Sequence, residues 1–143
     1  MRLRLVLLLV AGGVVLAGLG ARRLLPAMLG DPAGDALYAT LVVVLVALVR
    51  PTTPAWLAAL VGYGLCVAIE LFQLTGVPAS LADAWPPVRL ALGTTFAATD
   101  LVRYALGALV GGAVCALVTL RARRTAPGSA RRPGRARPPT PRA

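Results

Sequence analysis

The sequence predicts an all-α fold: a polytopic membrane bundle of four transmembrane helices, with an interfacial or re-entrant segment before the last helix. Three observations lead there. Of 143 residues, 58% are hydrophobic and mean hydropathy is +0.79, too apolar for a soluble domain of this size. Apolar runs recur four times, at or approaching the roughly 20 residues that cross a bilayer. Between them Gly and Pro cluster, and charges sit at the run ends rather than within them.

The first run opens with Arg2 and Arg4 and continues uncharged over residues 5–21. A basic start followed by an apolar stretch also suits a signal peptide. The run is long for that, and three more follow, so an uncleaved first span over about residues 4–21 is expected. Gly13 and Ala17 form a small-xxx-small pair on it. Residues 22–34 then read as a polar link, because Pro26, Gly30, Asp31, Pro32 and Gly34 favour turns.

A second uncharged run lies between Asp35 and Arg50. Pro51 ends it, since the residue before a proline is pushed out of the α region. The run is short for a span, so the helix is expected over about 33–50, drawing Asp35 and Tyr38 into the headgroup boundary. The third span, about 54–75, has Thr53 as a candidate cap, Pro54 at its first turn and Trp56 as an interface anchor. Gly76 and Pro78 close it.

Residues 78–99 mix Asp83, Trp85, Pro86, Pro87 and Arg89 with short apolar pieces. That pattern suits a segment lying in the interface or dipping in re-entrantly. Thr99 is a candidate cap for the fourth span, about 100–121, which carries Asp100 in its first turn and a G-x-x-x-G face at Gly107 and Gly111. This face could also join a second copy of the chain. The transmembrane domain is placed at residues 1–122. Residues 123–143 turn to Arg and Pro with small and polar residues, and are expected to form a disordered, basic cytoplasmic tail.

Charge sets the orientation. The chain has fifteen Arg, no Lys, no His and five acids, for a net charge of +10. Eight of the Arg follow Leu120, outside the apolar part, which argues for a membrane-flanking role and against nucleic acid as a partner. With both termini cytoplasmic, eleven Arg lie inside and four outside. The positive-inside rule selects that arrangement in an inner membrane. Cys66 and Cys115 stand within apolar runs without metal-ligand spacing. They read as small buried hydrophobes, and no metal or cofactor is expected.

The polar residues at membrane depth gather toward the outer end. Asp35 and Tyr38 open the second helix, Glu70 and Gln73 close the third, and Asp100, Arg103 and Tyr104 open the fourth. Glu70 and Gln73 share a helix face at their spacing. A charge in lipid costs about 3 kcal/mol or more, so an intramembrane Glu is a functional candidate. Several of these residues also have structural readings. The two Asp complement helix N-termini, Arg103 snorkels and pairs, and the tyrosines suit an aromatic belt.

The segments 34–39 (GDALYA), 69–74 (IELFQL) and 100–107 (DLVRYALG), with Arg89 and Phe96 ahead of the last, resemble domain-of-unknown-function family 2809. These are small bacterial integral membrane proteins. The resemblance covers about residues 1–120 and implies a four-helix membrane protein with no assigned activity. More remotely, Glu70-x-x-Gln73 followed by Asp100, Tyr104, Gly107 and Gly111 is similar to the VanZ-like pattern, in which an Asn usually stands where this chain has Tyr104.

The functional expectation is an outer-leaflet pocket for a lipid or envelope-glycan headgroup, lined by Asp35, Tyr38, Glu70, Gln73, Arg89, Asp100, Arg103 and Tyr104. Membrane lipids are the expected partners. Carboxylates beside Arg103 suit a zwitterionic or hydroxyl-rich ligand. Two other readings stand beside it: a membrane enzyme with Glu70 as general base, and a proton-linked transporter subunit with Glu70 as proton carrier. The absence of His and of a nucleophile placed beside a base weighs against the enzyme.

Overall fold

The computed structural model describes residues 2–124; the expected tail lies outside the described residues apart from its first two positions. The described chain is helical, in the order α1 (Arg2–Leu24), α2 (Ala27–Val49), α3 (Ala55–Gln73), α4 (Val77–Ala84), α5 (Val88–Leu92) and α6 (Ala98–Arg124). No strand occurs among the described residues. Four of these helices, α1, α2, α3 and α6, are long and apolar enough to cross a membrane. The protein is an all-α membrane bundle.

The first two spans meet more abruptly than the sequence suggests. α1 runs through Arg22 and Arg23, and the link shrinks to Leu25 and Pro26. Pro32, expected in the link, lies inside α2. Its missing N–H deprives the Met28 carbonyl of a donor. Met28 is 88% exposed in the first turn of α2, so the unmatched carbonyl belongs to the outer end of the helix and not to the core. The longer α2, at about 1.5 Å per residue, reaches roughly 34 Å, long enough to cross a bilayer.

Elsewhere the ends differ in detail. Pro54, not Thr53, is the N-cap of α3, and no side chain caps that end. α6 starts at Ala98, so Thr99 lies in its first turn, with its hydroxyl against Asp100. Between α3 and α6 the chain forms α4 and α5, two short helices across one end of the bundle. Gly76, in the left-handed region, turns the chain from α3 into α4.

α2 is the centre of the bundle, packed against α1, α3 and α6. The core is built of small side chains. Val43, Val44 and Ala47 of α2 meet Ala58 of α3, Ala108 and Cys115 of α6, and Leu7 and Ala11 of α1. Cys66 and Cys115 are buried and unbridged. Small residues let backbones approach, the main source of helix affinity where solvent and core are equally apolar.

The closest approach is at Gly107, where a Cβ would collide with the Ala36 carbonyl oxygen; at Gly111 it would lie 2.8 Å from Val43 Cβ. Both glycines are buried. The G-x-x-x-G face thus packs on α2 of the same chain. Thr40 fastens this contact: its hydroxyl lies 2.8 Å from the Gly107 carbonyl and 3.0 Å from that of Ala36.

Candidate functional site

One end of the bundle holds the polar residues. α1 and α3 finish there, α2 and α6 begin there, and α4, α5 and the 93–97 strap cover them. A cavity of about 510 Å³ opens between these parts. Its wall includes Asp35, Tyr38, Gln73, Asp100, Arg103 and Tyr104 from the spans, together with Arg89 and the backbone of the strap.

Four charged groups alternate in sign along the wall. Arg22 lies 2.7 Å from Asp35. The other Asp35 oxygen is 3.0 Å from Arg103, which also meets Asp100 at 2.7 Å. Thus each of α1, α2 and α6 contributes to one network. The two carboxylates are far less exposed than the guanidiniums that hold them. This suits charge-assisted hydrogen bonding at an interface, where the cations keep contact with water. Asp31 and Arg89 also line the cavity, and among the described residues neither forms an ion pair.

Three side chains from within the spans hold α5 and the strap by their backbone. Tyr38 O–H donates to the Ala91 carbonyl at 2.6 Å. Gln73 Nε2 donates to the Leu92 carbonyl at 2.7 Å. The Ala97 N–H donates to Glu70 Oε1 at 2.5 Å. Tyr104 O–H, 3.1 Å away, donates to the second Glu70 oxygen. The tyrosine rings stand near each other, with centroids 6.2 Å apart. Gly93 is essential to the strap's path. Its φ of 64° with ψ of −171° is a glycine conformation, and a Cβ there would lie 2.5 Å from Gln73 Nε2.

Glu70 itself is 0% exposed and sits behind the cavity wall rather than on it. Both of its oxygens are engaged by protein donors, which removes most of the cost of burying it. Gln73 differs. It lies on the wall, is only 8% exposed, and its Oε1 is buried without a hydrogen-bond partner. A buried orphan acceptor is rare and calls for an explanation.

Of the residues named from sequence, Asp35, Tyr38, Gln73, Arg89, Asp100, Arg103 and Tyr104 meet at this cavity. Arg22, the carbonyls at the end of α5 and the N–H of the strap were missed. Arg22 was legible only once the α1–α2 turn is placed at Pro26, which brings it alongside Gly34 and Asp35. The strap offered no side-chain signal, because it contributes mainly backbone. No group of three or more metal-ligating side chains occurs among the described residues.

A family model described as "Protein of unknown function (DUF2809)" matches residues 24–108. The match runs from the end of α1 to the glycine contact of α6, and so contains the cavity wall except Arg22. No curated protein and no solved structure matches the chain.

Proposed function

The chain belongs to the DUF2809 family of proteins of unknown function, and from its site we propose that it binds a zwitterionic or hydroxyl-rich headgroup at the outer leaflet of a bacterial inner membrane. Both termini would then be cytoplasmic, as the Arg distribution favours. The observation that carries this reading is the unpartnered Oε1 of Gln73, a residue of the cavity wall. It requires a donor, such as a ligand hydroxyl or ammonium.

The surrounding charges agree with that class. The paired Arg and Asp side chains leave the wall close to neutral, so a plain anion or cation gains little. A ligand carrying both signs, or many hydroxyls, finds partners for each. Glu70 serves the site by fixing Ala97 and Tyr104, not by touching the ligand. With both oxygens engaged, its geometry lends no support to a general base or proton carrier.

Native mass spectrometry of the purified protein with phosphatidylethanolamine tests the proposal. Gln73→Met removes both the orphan acceptor and the bond to Leu92 and should weaken lipid retention at least tenfold, since one buried hydrogen bond is worth about 1.4 kcal/mol. Unchanged retention by a folded Gln73→Met protein would remove the reading.

A further inference from the structure

A second concavity, of about 470 Å³, lies on the face formed by α1 and α2. It differs from the first in being apolar. α1 contributes Val14, Val15 and Gly18, and α2 contributes Leu41, Val42 and Leu45. At about 1.5 Å per residue it extends roughly 12 Å along α1, from Arg22 down to Val14. That direction leads from the polar end of the bundle into the apolar part of the spans.

The groove and the polar cavity adjoin and share part of their lining. Arg22, Tyr38, Leu90 and Ala91 line both. The sill between them is the Tyr38–Ala91 hydrogen bond and the Arg22 stem, which crosses Gly34. A Cβ on Gly34 would lie 3.0 Å from Arg22 Cγ and would collide with its Nε. The missing side chain therefore lets Arg22 lie flat and reach Asp35. A polar chamber set beside an apolar groove, with Arg22, Tyr38, Leu90 and Ala91 between them, matches the two halves of an amphiphile.

We infer that the groove holds an acyl chain of the same molecule whose headgroup occupies the polar cavity, so that the ligand is a membrane lipid and not a soluble glycan. This inference rests on the headgroup-binding reading and narrows it to one source. A partner helix is a poor occupant, because Leu90 and Ala91 of α5 stand in the groove's lining at its polar end and would obstruct a body about 10 Å across. A single hydrocarbon chain is slimmer, and a bilayer around the spans would supply it. The apolar contact adds affinity over bulk lipid only through a fitted slot, since lipid tails are as apolar as the groove.

The test compares phosphatidylethanolamine with its deacylated headgroup, glycerophosphoethanolamine, on the purified full chain in detergent. The wild type should hold the lipid at least tenfold more tightly than the soluble headgroup. Gly18→Phe and Val15→Trp fill the groove without touching the polar wall. Each should weaken lipid binding at least fivefold and leave the headgroup's affinity unchanged. Val15 is 41% exposed, so its variant carries the test if Gly18→Phe does not fold. Equal affinity of lipid and headgroup for the wild type, or wild-type lipid binding by a folded groove-filled variant, would overturn the inference and leave the headgroup pocket standing. Binding of neither probe to the wild type would overturn both.

Discussion

Glu70 shows how a costly side chain is made useful. It is fully buried, yet its carboxyl group receives the Ala97 N–H and the Tyr104 O–H. The two variants of this residue should therefore separate. In Glu70→Gln the amide oxygen still accepts from Ala97, and its NH₂ can donate to the Tyr104 hydroxyl, which accepts as well as donates. Glu70→Ala orphans both partners and opens a cavity, at about 1–3 kcal/mol for each buried unmatched group. We expect thermal unfolding in detergent to show Gln close to wild type and Ala markedly destabilised. Equal losses would mean that charge, and not hydrogen bonding, holds the strap. Gln73 is the converse case: one half of its amide is tied to Leu92 and the other half is buried without a partner.

Among the elements, the α2–α6 contact and the strap carry the site. α6 sits against α2 only because Gly107 has no side chain. Gly107→Ala should cost about 1–3 kcal/mol through overpacking and should pull Tyr104 away from Glu70, one turn along the same helix. Gly64 offers the control, since nothing lies within 4 Å of a Cβ placed there. Gly64→Ala should be neutral or stabilise by about 0.5–1 kcal/mol through helix propensity. Comparable effects at the two positions would show that the helix contact is looser than described. The strap has its own test at Gly93, where φ is 64°. Gly93→Ala should leave the four spans folded, measured by helical circular dichroism, while lowering lipid retention, because Gln73 must move aside.

At the scale of the whole molecule the testable property is sidedness. The polar cavity and α4 lie at one end of the bundle, and the α2–α3 link lies at the other. Cys66 and Cys115 are buried and should stay silent toward an impermeant thiol reagent. In intact cells Asp83→Cys, exposed in α4, should be labelled. Thr52→Cys, exposed in the opposite link, should not. The reverse pattern would turn the cavity toward the cytoplasm and contradict the arginine asymmetry.

Hydropathy, proline placement and arginine distribution are local quantities, and they determined the all-α bundle and its four spans. The depth of each polar group followed from counting residues along a helix, so the clustering of Asp35, Gln73, Asp100 and Arg103 toward one end was legible in the chain. Contacts that depend on a helix's rotation about its axis were not. Whether Gly107 faces α2 or lipid, whether Glu70 lies on the cavity wall or behind it, and whether Arg22 reaches Asp35 are all set by that rotation. Close packing around small side chains selects it. Pro32 was misread for a related reason: a proline near a helix end is excused by the water or headgroups outside, a circumstance written in the tertiary structure alone. The covering segment, α5 with the strap, is the extreme case. It works through carbonyls and N–H groups that every residue carries, so only the fold could reveal which of them turn toward Tyr38, Gln73 and Glu70.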